Sequence, residues 1–146
     1  LATIILITTI FAFTQKKQNN NNSLFAKDLQ PNQLEQIDNA NILESFAGLG
    51  RIRISTHPDS KGTKVPLVVS PWFSYQKGDE QFFEELSKKS AIIKSIIVQY
   101  FSLYTEEELQ SLSETEIKTE LTMQINQHLI LGQIENIYFS EYIFLK

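Results

Sequence analysis

Two strings in the second half of the chain, Thr105 to Glu108 (TEEE) and Ser113 to Glu116 (SETE), share one form: a hydroxyl residue followed three places later by glutamate. That form is the capping box, in which hydroxyl and carboxylate satisfy amide groups that a helix start leaves without partners. Two starts in close succession rule out one uninterrupted helix across this region. Upstream, Asp79 follows Gly78 and opens a pattern in which Phe82, Leu86, Ile93, Ile97, Tyr100 and Tyr104 recur on one face, so a long helix with a core stripe is expected from Asp79 to Tyr104. Downstream, Ile117, Leu121, Ile125 and Leu129 continue a further helix that Gly132 is expected to stop.

Strand patterns bracket these helices. GRIRIST alternates Ile52 and Ile54 against Arg51, Arg53 and Ser55, the period of two of a half-buried strand. HPDSKG reads as a loop, and KVPLVVSPWFSY returns as a second strand rich in β-branched and aromatic residues. Pro66 and Pro71 donate no amide hydrogen, which places this strand at an edge or puts a bulge at those points. Trp72, Phe73 and Tyr75 within it are expected in the core rather than on an aromatic contact surface. The closing IENIYFSEYIFLK has Ile137, Phe139, Ile143 and Leu145 on one parity with Glu141, and Tyr138, Ser140, Tyr142 and Phe144 on the other. Both faces of this last strand are therefore substantially apolar, and a partner is expected to cover the one the helices leave open. Before the first strand, Leu34, Ile37, Leu43 and Phe46 fall near helical spacing, with Asn32 as cap and Gly48 as stop. The sum is an α+β domain, a small sheet packed against long helices.

At 146 residues the chain fits one domain with an appendage. Hydrophobic residues make up 42% and charged residues 21%, enough for a real core. A net charge of -4 and no long basic cluster exclude nucleic acid as the natural partner. No cysteine is present, so disulfides, thiolate nucleophiles and sulfur-ligated zinc are excluded together. The appendage is LATIILITTIFAFT, whose Ile4, Ile5, Leu6, Ile7, Ile10 and Phe11 read as the C-terminal part of a transmembrane anchor over residues 1–14, continued by missing upstream turns. A secretory signal with Ala12 and Thr14 at its cleavage site is the alternative. A polar tether follows over 15–30, and the folded domain is expected over 31–146.

Chemistry finds little footing. His57 and His128 lack the spacing of a metal motif, Glu106 to Glu108 suit a first helical turn, and neither a nucleophile elbow nor a phosphate loop occurs. No catalytic residue, cofactor or metal is expected. Arg51 and Arg53 read as a solvent-facing pair or as a docking pair for an acidic partner or anionic lipid.

The stretch GDEQFFEELSKKSAIIKSIIVQYFSLYTEEEL resembles the long helix and following turn of the FliL family of flagellar basal-body-associated proteins. IKTELTMQINQHLILGQIENIYFSEYIFLK is similar to that family's ending, carried by Ile125, Asn126, Leu129, Gly132 and the run Ile137 to Tyr142. The resemblance runs from about Gly50 to the end. It departs in GRIRIST, which lacks an Asn-Leu pair common in the family, and in the last residues Phe144, Leu145 and Lys146, pointing to a divergent or paralogous branch. The resemblance implies a single-pass bacterial inner-membrane protein with a periplasmic domain similar to stomatin-type (SPFH-like) domains. It further implies a homo-oligomeric ring or arc around flagellar stator proteins at the basal body, working by binding without catalysis. The candidate partner surface is Arg51 and Arg53 with Tyr138 and Tyr142. The competing readings are a secreted or periplasmic binding module unrelated to motility, and a tethered hydrolase built from scattered Ser, His and acidic residues.

Overall fold

A computed structural model describes residues 28–38 and 40–146. The expected anchor, including Ile4 to Ile7, Ile10 and Phe11, and the tether up to Lys27 lie outside the described residues. No helix among the described residues is long and apolar enough to cross a membrane.

The sheet is built on one long strand, β3 (Pro66–Gln76). On one side of it lie β1 (Leu43–Phe46) and β2 (Ile52–Ser55), both antiparallel and placed end to end: β1 pairs with residues 73–76 and β2 with residues 66–69. On the other side, β4 (Asn136–Phe144) runs antiparallel along most of its length. The strand with two prolines is thus central, not at an edge as its missing donors suggested. Pro66 sits at its first position, and Pro71 lies against a register shift between β3 and β4. The bulge half of that expectation holds, since both are places where a ladder hydrogen bond is not required.

Between β3 and β4 come α1 (Glu80–Lys88), α2 (Ser90–Ser102), α3 (Glu106–Ser111) and α4 (Glu114–Asn126). The Asp79 carboxylate accepts from the Phe82 N–H at 3.0 Å and starts α1. Both capping boxes form in full. Thr105 and Glu108 open α3, and Ser113 and Glu116 open α4. The backbone and hydroxyl of Ser113 also hold the Glu116 carboxyl below its ordinary range. The long helix expected from Asp79 onward is divided at Lys89, which leaves helical geometry at φ -94°, ψ 9°. Periodicity could not show this break, because the apolar stripe continues across it. Likewise α4 ends at Asn126, before Gly132, and Leu129 packs on the core from the following turn.

The N-terminal part departs most from expectation. Pro31–Gln36 form a 3-10 turn, with Gln30 rather than Asn32 as its cap, and Leu43–Phe46 form strand rather than helix. Only Leu34 of the turn is buried, so the segment lacks the stripe that would stabilise an α-helix.

Alternation along β3 divides the sheet into two faces. Leu67, Val69, Phe73 and Tyr75 join the main core with Leu86, Ile93, Ile97, Phe101, Ile117, Leu121 and Ile125 of the helices. Val68, Ser70, Trp72 and Ser74 alternate with these and point to the second face.

Candidate contact surface

On β4 the alternation breaks. Val69 is opposite Tyr142 while Pro71 is opposite Phe139, so Ser140 and Glu141 together face the single residue Ser70. This bulge exchanges the two parities. Ile137 and Phe139 before it and Tyr142 and Phe144 after it all enter the main core. Tyr142 is 2% exposed, ringed edge-on by Phe101, Phe139 and Phe144, and burial raises its phenol well above the ordinary range. The expectation that Tyr142 shares an exposed surface with Tyr138 is therefore corrected: the extra residue turns it inward.

The other three candidates lie on the second face, Arg51 and Arg53 toward one end and Tyr138 toward the other. Tyr138 is half-buried, stacked on Trp72 with ring centroids 4.3 Å apart, and its phenol is raised chiefly by burial. Arg53 is exposed and lies in register with Val68 and, across β3, Ile143. Arg51 donates from Nε to Glu141 at 3.1 Å, and the Ser70 hydroxyl donates to the other carboxylate oxygen at 3.3 Å. The bulge that buries Tyr142 thus also aims Glu141 across the sheet toward Arg51. One end of this face is a polar, exposed strip of Arg51, Arg53 and Glu141.

The opposite end is occupied by the chain's own N-terminal side. The Leu29 carbonyl accepts from Trp72 Nε1 at 2.8 Å. The Asp28 carboxylate accepts from the Phe139 N–H at 2.7 Å and from Lys118 Nζ at 2.8 and 3.0 Å. Lys118 also pairs with Glu114 at 2.8 Å and lies 5.3 Å from the Tyr138 ring centroid. Asp28 to Gln30, read from sequence as tether, are seated on the folded domain. Isolated Asp and Leu residues give no periodic signal, which is why this seat was not legible.

A second polar cluster lies on α1. The Glu85 carboxylate accepts from the N–H groups of Ile130 and Leu131 at 2.8 Å each and from Lys89 Nζ at 2.7 Å, while Lys89 also donates to the His128 carbonyl at 2.7 Å. Burial pushes the Glu85 carboxyl upward, but Lys89 and the two N–H groups outweigh it and hold it below the usual carboxylate range. This cluster fixes the turn after α4, on which Ile130 is 84% exposed. The Glu85–Lys89 spacing of four was visible in the sequence; its burial was not.

His57 and His128 make backbone contacts, Nδ1 to the Pro58 and Gln124 carbonyls respectively. Among the described residues no group of three or more metal-binding side chains converges. What the geometry offers is a candidate contact surface: a sheet face with the charged strip of Arg51, Arg53 and Glu141, and the half-buried Tyr138 stacked on a buried Trp72.

The arrangement places the chain among the flagellar basal-body-associated domains, since a family model described as flagellar basal body-associated protein FliL matches residues 52–144, from the start of β2 to the end of β4. A flagellar protein FliL of Treponema pallidum (strain Nichols) is 26% identical over 144 residues, covering 98% of this chain and 75% of that protein. A flagellar protein FliL of Aquifex aeolicus (strain VF5) is 30% identical over 66 residues, covering 44% of this chain and 41% of its own length. The chain belongs to the FliL family.

Proposed function

We propose that this protein is a non-enzymatic accessory of the flagellar motor, held in the bacterial inner membrane by a single N-terminal span, with its α+β domain in the periplasm at the basal body. In this reading the domain is stomatin-like, assembles as a ring or arc, and stabilises stator units by binding their assembled state better than the inactive one. The observation that carries the reading is the family match across the β2 to β4 unit. The apolar run with Ile4 to Ile7, Ile10 and Phe11 supplies the anchor. Its contact surface is the open end of the second face, with Arg51 and Arg53 beside Glu141 and with Tyr138 at the margin. A charged strip of this kind favours recognition and correct orientation of an acidic partner over raw affinity.

Gentle detergent extraction of the tagged, full-length protein from its native membrane tests this. Co-purification of stator proteins with a high-order oligomer supports the scaffold, and Arg51→Glu with Arg53→Glu then lowers stator recovery at least several-fold. A processed monomer without motor components defeats both the anchor and the motor role.

A further inference from the structure

The strap formed by Asp28 to Gln36 is held differently from the rest of the molecule. Among its attachments are the Asp28 contacts with Lys118 and Phe139, the Leu29 carbonyl on Trp72, the buried side chain of Leu34 and the packing of its 3-10 turn beside β1. Neither Leu34 nor Trp72 belongs to the main core cluster, so withdrawing the strap leaves the packing between helices and sheet intact.

The connection from strap to β1 is short and conformationally strained. Asp38 folds it back, its carboxylate accepting from the N–H groups of Ile42 at 3.1 Å and Leu43 at 2.8 Å. Asn41 takes φ 53°, and no other non-glycine described residue has a positive φ. Two large apolar side chains flank this connection in solvent, Ile37 at 45% and Ile42 at 60% exposure. A short, strained hinge is the feature that lets an identical element be traded between copies, because the traded element makes the same contacts in its new seat while the hinge can straighten. Straightened hinges of two copies cross, and exposed apolar residues beside them gain cover.

We propose that the seat formed by Lys118, Trp72 and the Phe139 N–H is an exchangeable site whose second occupant is the Asp28–Leu34 strap of a neighbouring copy of this chain. The inference draws on the proposed crowding of copies at the basal body, where a neighbour's strap is present at high local concentration. The polar contacts themselves need no change of chemistry.

Charge reversal tests it. Two tagged full-length chains are co-expressed, one with Asp28→Lys and the other with Lys118→Glu. In either variant alone, like charges meet at the seat whether a strap enters its own copy or an identical one. In the pair, opposite charges meet only when each strap enters the other copy. Retrieval on the first tag is expected to recover the second chain at least tenfold more than when a variant is paired with itself. On the unsubstituted full-length protein, carbodiimide cross-linking is expected to place an Asp28–Lys118 amide in the dimer band. No enrichment of the mixed pair, with the Asp28–Lys118 amide confined to the monomer band, overturns the proposal. If the charge-reversed variants do not fold, the cross-linking result alone decides. Neither readout involves a stator protein, so loss of the motor reading and loss of strap exchange are separable results.

Discussion

On one side of the central strand, Leu67, Val69, Phe73 and Tyr75 meet helical side chains that are almost wholly buried. On the other, Val68, Ser70, Trp72 and Ser74 meet a strap, a stacked tyrosine and an arginine bound to a glutamate. The first face is stabilised mainly by removal of apolar surface from water, a term that needs no precise partner. The second buries less apolar surface, chiefly Trp72 and Val68, and adds a few directed polar contacts, each modest in net effect and each replaceable by an equivalent group from elsewhere. The contrast implies that the first face sets whether the domain folds; in the proposed function the second is the face offered to partners.

The sharpest way to break that division is on the core side. Phe139→Ala removes a ring packed against Phe101 and Tyr142 and is expected to cost about 3–5 kcal/mol in denaturant unfolding. A loss under about 1 kcal/mol would mean the two faces do not differ as described. Glu85→Gln is next, at about 2–3 kcal/mol, because the half-buried Lys89 ammonium loses its counter-charge and one of two N–H groups loses its buried acceptor. Its pH dependence has a definite sign. The folded carboxyl is held below its ordinary range, so its contribution is fully present above the unfolded value of about 4.3 and is lost as pH falls through the folded value. Thermal unfolding of the wild type should therefore weaken more steeply below about pH 4.3 than that of Glu85→Gln.

On the second face the effects shrink. Asp28→Asn should cost about 1–2 kcal/mol by weakening the Lys118 contact. Trp72 is the single tryptophan, so emission should shift to longer wavelength as its strap loosens; unchanged emission with lowered stability would place the effect elsewhere. Arg51→Ala is expected to change stability by no more than about 0.5 kcal/mol, because its ion pair with Glu141 is largely exposed. If the same variant leaves stator recovery unchanged, the cationic strip is not the contact surface.

The core face was largely legible in the sequence. Ile52 and Ile54 alternate with exposed arginines as read, and both capping boxes start helices because each rests on a local pattern that packing only has to accept. The second face was legible only up to the bulge. Counting by twos placed Tyr138 and Tyr142 together, and one extra residue at Ser140–Glu141 separated them, a local insertion that leaves no trace in composition. The break at Lys89 was hidden for a related reason, since a kink that keeps the stripe facing the core preserves periodicity. The Asp28 seat joins residues far apart in the chain, and no pattern within a window can reveal such a contact.

The end-to-end placement of β1 and β2 has a consequence for a protein proposed to live at high local density. Residues 70–72 of β3 fall between the stretches paired with β1 and with β2, so neither strand offers a long straight border to a passing chain. On the opposite border the bulge lies at the same level, and the Phe139 N–H beside it is already taken by Asp28. Interrupted borders of this kind deny a template to unwanted strand addition. Crowded copies can then meet through side chains and straps without seeding fibrils.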